Sequence, residues 1–145
     1  MGFSEYILIA EDDDDDQLLL TTAFAEISAE TKLLFVSNGL ALLEHFRSYE
    51  RGTIELLPQL LIVDLNMPKK TGREALSELR LKEYFHSFPT IIFSTTGNEF
   101  ERQRCKELGI DSYFVKPPNY SELTSIVAEF CKLAYAGRNN NRQFL

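Results

Sequence analysis

The sequence predicts an α/β fold, a doubly wound (βα)5 three-layer sandwich built on a five-stranded parallel sheet. Three observations carry that reading. Five short apolar runs alternate with segments of helical period. The runs are near-continuously apolar, as strands covered on both faces must be. Nearly every long connection between them is itself helical, which parallel strands require because the chain must cross back before pairing again.

The first run, Tyr6 to Ala10, ends abruptly in six consecutive acids, Glu11 to Asp16. A helix from about Asp15 to Ile27 follows, with Leu20, Phe24 and Ile27 spaced i, i+4, i+7 along one face. Asp14 and Gln17 have the spacing of a capping box. Asp15 and Asp16 then fall in the first turn, where negative charge is favoured by about 0.3 to 1 kcal/mol each. The second run is Leu33 to Val36, and Asn38-Gly39 opens the second helix. Tyr49 to Pro58 is a longer loop that extends that helix's end. The third run, Leu60 to Asp64, leads into a loop punctuated by Pro68 and Gly72.

The fourth run is Thr90 to Ser94, and the fourth helix starts near Phe100, which is expected in the core. Gly109-Ile110-Asp111 separates that helix from the fifth run, Ser112 to Val115. The last helix begins near Tyr120 and repeats Leu123, Ile126, Val127, Phe130 and Cys131. One domain over 5–136 is expected, with 137–145 a polar, Asn-rich tail that frays apart from a chance of docking by Phe144-Leu145.

The 145 residues carry a formal net charge of −7 and no basic stripe, so nonspecific attraction to nucleic-acid phosphates is excluded. No apolar window is long enough to cross a membrane, and no signal peptide is evident. Cys105 and Cys131 fit no metal or disulfide spacing and read as buried thiols of a cytoplasmic protein. His45 and His86 have no metal or catalytic companion, so a phosphoryl group, if one is used, comes from elsewhere.

In a doubly wound sheet, ligands bind beyond the carboxyl ends of the strands. There the sequence puts Glu11 and Asp12 after the first run, Asp64 at the end of the third, Ser94 at the end of the fourth and Lys116 after the fifth. Clustered carboxylates suit a hard divalent cation, which relieves their repulsion. Asp64 then has a nucleophile's position, Lys116 a point charge for a phosphate oxygen and Ser94 a donor.

The blocks "ILIAEDD", "LLIVDLNMP", "PTIIFSTTG" and "YFVKPP" together resemble the signature of a response-regulator receiver domain of the chemotaxis type, over about residues 5 to 135. The resemblance implies a flavodoxin-like fold and Mg2+ held by Glu11, Asp12, Asp64 and the backbone carbonyl of Asn66. It also implies Asp64 as phosphoacceptor, Ser94 as switch hydroxyl, Lys116 as the phosphate-contacting lysine and Tyr113 as switch aromatic. Glu11 stands where Asp is common in that family, and Ser94 where Thr is commoner. Thr95 and Thr96 fall where residues influence phosphoryl lifetime, and the Lys116-Pro117 bond matches one that is cis in the family.

The expected protein is a stand-alone response regulator of a two-component phosphorelay, not an enzyme with an external substrate. A histidine kinase or histidine phosphotransfer protein supplies the phosphoryl group. The output is protein contact through the face of the fourth helix, fifth strand and fifth helix, by a monomer or a phosphorylation-linked dimer. The alternative is an interaction module with the same fold and no phosphorylation. A metal-dependent phosphohydrolase is disfavoured by Asn66, where such enzymes carry an acid. A nucleotide-binding protein is disfavoured by the acidic loop after the first run.

Overall fold

The computed structural model describes residues 5–143, with side chains through residue 136. Its elements are β1 (Tyr6–Ala10), α1 (Asp14–Ile27), β2 (Lys32–Val36), α2 (Gly39–Glu50), β3 (Leu60–Val63), α3 (Gly72–Leu79), β4 (Thr90–Ser94), α4 (Glu99–Lys106), β5 (Ser112–Val115) and α5 (Tyr120–Gln143). A short 3-10 turn at Glu83–Ser87, which periodicity does not reveal, precedes β4. All strands pair in parallel in the order β2-β1-β3-β4-β5. This is the expected doubly wound, flavodoxin-like sheet, with its switch point between β1 and β3.

Alternation along each strand builds two cores. Leu8, Ala10, Leu61 and Val63 pack with Leu42 and Phe46 of α2 and Ala75, Leu76 and Leu79 of α3. Ile7, Ile9, Leu60 and Ile62 face the other way, against Leu20, Ala23 and Phe24 of α1 and Leu123, Val127 and Phe130 of α5. Phe130 anchors this second layer, stacking on Phe24 at 6.4 Å and meeting Phe93 and Phe114 edge-on at 5.3 and 5.1 Å.

Several expectations need correction. Ile27, the last residue of α1, is exposed although its spacing puts it on the face of the buried Leu20 and Phe24. Phe100 is 71% exposed. Cys105 is the buried residue of the short helix α4, and Phe100 faces away from it, covered on one side by the Arg104 guanidinium 5.7 Å from its ring centre. Cys105 is buried as expected, while Cys131 is only half-buried.

The cap of α1 is Asp13, whose side chain accepts from the Asp15 amide, so the capping box assigned to Asp14 and Gln17 does not form. The capping box of this fold is at α3, where Thr71 and Glu74 exchange side-chain-to-backbone hydrogen bonds. Helix α5 continues to Gln143, past the boundary that the polar composition suggested. Phe144 and Leu145 lie outside the described residues. No cis peptide bond occurs among the described residues, so Lys116-Pro117 takes the trans form that X–Pro bonds favour by about 0.5 to 1 kcal/mol.

Candidate functional site

Hydrogen bonding between strands continues one residue past their ends and fixes the backbone of the site. The Glu11 amide donates to Val36 O at 2.9 Å, the Asp64 amide to Ala10 O at 3.0 Å and the Lys116 amide to Ser94 O at 2.8 Å. Glu11, Asp64, Ser94 and Lys116 are thereby set side by side along one edge. Gly72 makes this packing possible. A Cβ there would lie 2.3 Å from Asp64 O and 2.7 Å from Val63 Cγ1, so only glycine lets α3 start this close to the acid.

Carboxylate oxygens of Glu11, Asp12 and Asp64 lie within 4.8 Å of one another. Glu11 and Asp64 are buried and Asp12 is exposed, which leaves the cluster open to solvent on one side. The Glu11 carboxylate accepts from the Asp13 amide at 3.1 Å, and its carbonyl accepts from Gln17 Nε2 at 2.6 Å. Asp64 Oδ1 accepts from the Asn66 amide at 3.1 Å.

Lys116 Nζ completes the cluster and donates to Glu11 Oε1 and Asp16 Oδ2 at 2.7 Å each and to Asp64 Oδ2 at 3.0 Å. Burial by itself would lower the lysine's pKa, but the hydrogen bonds to Asp16 and Glu11 and the Asp64 charge outweigh it and hold the ammonium well above its usual range. Burial pushes the Glu11 carboxyl up to about 7; the hydrogen bonds from Lys116 and the Asp13 amide oppose that and the Asp64 charge adds to it. Three carboxylates thus share one ammonium while Asp12, the fourth acid at the site, has no contact with it, leaving the site short of positive charge.

That deficit and the all-oxygen donor set fit a hard divalent cation. Oxygens around Mg2+ sit about 2.1 Å from the ion and so no more than about 4.2 Å apart, which the outermost pair of the 4.8 Å spread reaches by closing about 0.6 Å.

Ser94 and Tyr113 meet at the next loop. The buried Ser94 Oγ accepts from the Thr96 amide at 3.3 Å, and the half-buried Tyr113 hydroxyl donates to the Thr96 carbonyl. The Arg102 guanidinium of α4 lies 4.9 Å from the Tyr113 ring centre, within cation–π range. Thr96 therefore bridges the two residues through its main chain.

Glu11, Asp12, Asp64 and Lys116 are brought together, Ser94 is joined to Lys116 through the backbone, and Tyr113 is joined to Ser94 only through the main chain of Thr96. Asn66 has an exposed side chain, and its observed part is the amide held by Asp64. Sequence reasoning missed Asp16, which it assigned to the helix dipole. No spacing within the run marks it out, since Asp12 precedes the Asp13 cap and shares no helix face with it; the contact with Lys116 does. His45, read as a helix residue without a partner, is buried against Tyr6, with Tyr6 Oη 2.9 Å from its Nε2 and donating to Leu56 O at 2.8 Å. Beside the site, a cavity of about 130 Å³ opens between Leu19 and Leu20 of α1 and Lys116, Pro117, Pro118 and Tyr120.

The chain matches the family described as "Response regulator receiver domain" over residues 7–128. It is 28% identical over 121 residues to "Response regulator Rcp1" of Synechocystis, covering 83% of this chain and 82% of that protein. The Mn(2+)-bound form of Rcp1 superposes with a TM-score of 0.76 at 28% identity, covering 87% of this chain and 91% of Rcp1. The phosphorylated cyanobacterial phytochrome response regulator RcpA superposes with a TM-score of 0.79 at 28% identity, covering 88% and 91%. A segment of "Sensor histidine kinase CheAY" of Helicobacter pylori is 32% identical over 101 residues, covering 70% of this chain and 12% of that protein.

Proposed function

The chain belongs to the response regulator receiver family, and on that premise we propose that Asp64 accepts a phosphoryl group in a Mg2+-dependent reaction, held to the task by Glu11, Asp12 and Lys116. The observation that carries the reading is the Asp64 carboxylate itself: buried, aimed by the Asn66 amide, and within reach of both the acid cluster and the ammonium. Phosphorylation-based signalling is the family's function. The Mn(2+)-bound Rcp1 and phosphorylated RcpA structures support the metal and the modification here.

Glu11, Asp12, Asp64 and the Asn66 carbonyl would hold the cation, which when bound neutralises carboxylate charge and draws in phosphoryl oxygens. An Asp64 oxygen attacks phosphorus, and the O–P bond forms as the donor's P–N bond, or the P–O bond of an acyl phosphate, breaks. The leaving imidazole or carboxylate takes the electron pair. Lys116 donates to a phosphoryl oxygen and offsets the added charge. Ser94 moves toward the phosphoryl group and frees the space into which Tyr113 turns, and the surface of α4, β5 and α5 changes as a result.

The domain catalyses only its own modification. Its donor is a histidine kinase or histidine phosphotransfer protein, a reading supported by the receiver-like segment within a sensor histidine kinase. The match to most of the length of Rcp1 supports a receiver that acts alone; the cytoplasm as its place and protein contacts as its output belong to the same proposal. The chemotaxis-type grouping rests on the four sequence blocks.

Incubation with acetyl phosphate and Mg2+, followed by intact-mass measurement, tests the proposal. The unaltered protein gains one phosphoryl group, which is lost in base as acyl phosphates are, and Asp64→Asn gains none. Labelling that survives Asp64→Asn or Asp64→Ala overturns the assignment.

A further inference from the structure

The ammonium of Lys116 has three hydrogens, and three carboxylates take them, at 2.7 Å for Glu11, 2.7 Å for Asp16 and 3.0 Å for Asp64. Two of these acceptors, Glu11 and Asp64, belong to the cluster that fits a divalent cation; Asp16 does not. It stands in the first turn of α1, past the Asp13 cap, and its side chain is 31% exposed against 2% for Glu11 and 9% for Asp64. The lysine side chain is itself only 12% exposed. If Glu11 and Asp64 turned to a cation, this ammonium would be left buried and unpaired, a costly state, unless a carboxylate outside the cation's reach retained it.

We infer that Asp16 is the positioning residue for Lys116, the carboxylate that keeps the ammonium in place when Glu11 and Asp64 are engaged by a divalent cation. The inference rests on the metal reading proposed above and goes beyond it. It gives the acidic run a third part, distinct from cation binding at Glu11 and Asp12 and from helix capping at Asp13. Asp16 turns Lys116 from a competitor for the cation's ligands into a neighbour, with donors free for a phosphoryl oxygen.

Isothermal titration of the full-length protein with Mg2+ tests this, because binding is read without any phosphoryl transfer. Asp15→Asn removes the same unit charge from the same helical turn and measures the diffuse electrostatic effect, an expected weakening of no more than about twofold. Asp16→Asn is expected to weaken Mg2+ binding by roughly tenfold, since the ammonium then stays on Glu11 and Asp64. Asp16→Glu restores affinity to near that of the unaltered protein.

In a Lys116→Met background, where no ammonium competes, Asp16→Asn should cost no more than Asp15→Asn. Equal effects of Asp15→Asn and Asp16→Asn overturn the inference, and that comparison stands even if Lys116→Met does not fold. An Asp16→Asn effect undiminished in the Lys116→Met background overturns it as well. Absence of Mg2+ binding by the unaltered protein removes the metal reading itself, and the inference with it.

Discussion

At the scale of single residues, the pairing of Tyr6 with His45 has a protonation state built into it. The phenol has one hydrogen, and the Leu56 carbonyl can only accept it, so Nε2 of His45 must be the donor to Tyr6 Oη. Burial lowers the His45 pKa from its ordinary 6.5. The unfolded chain therefore takes up a proton below about pH 6.5 that the folded chain resists, and stability falls as pH falls through that window. Urea unfolding at stepped pH should show this decline, and His45→Gln should flatten it. Tyr6→Phe leaves the imidazole and the Leu56 carbonyl without the hydroxyl and is expected to cost about 1 to 3 kcal/mol in the same assay at pH 7. The cost sits more than a strand's length from the acid cluster, at the opposite end of β1, so labelling of Asp64 should survive it.

At the scale of elements, α3 is the part whose start governs the site. Thr71→Ala removes the capping box and should lower stability by about 1 kcal/mol, a fall in Tm of roughly 3 to 5 °C. Gly72→Ala is predicted to be worse, about 2 to 3 kcal/mol, because the new methyl meets Asp64 O and Val63 Cγ1 at 2.3 and 2.7 Å. It should also slow labelling by acetyl phosphate, which Thr71→Ala should not. The strands were legible in the sequence to within a residue, because each apolar run stops at a charged or turn-forming residue that cannot continue between two covered faces. Glu11, Asp64, Ser94 and Lys116 were legible for the same reason, standing where those runs stop. Phe100 and Ile27 were misplaced because periodicity registers which residues share a helix face and not whether another element covers it. Asp16 escaped because six like residues in a row carry no pattern. Only the arrival of Lys116 from the other end of the chain distinguishes one from the next.

At the scale of the whole molecule, the net charge of −7 is concentrated unevenly, and the acid cluster is a point of stored repulsion. Mg2+ should therefore raise Tm. At ten times its dissociation constant the cation contributes about 1.4 kcal/mol by mass action, roughly 3 to 6 °C for a chain of this size. EDTA should reverse the shift, and Asp12→Ala should abolish it while leaving the metal-free Tm unchanged or raised. Scanning calorimetry with and without the cation checks all three.

Thr96 ties the two halves of this behaviour together. Its amide is committed to Ser94 and its carbonyl to Tyr113, so the two peptide units flanking one residue are held, one by each side chain. Traffic through such a joint runs both ways. On the function proposed above, a partner that prefers Tyr113 turned inward would, by linkage, favour the phosphorylated state by the same factor by which phosphorylation favours the partner. The listener, in that sense, helps to write the message that it receives.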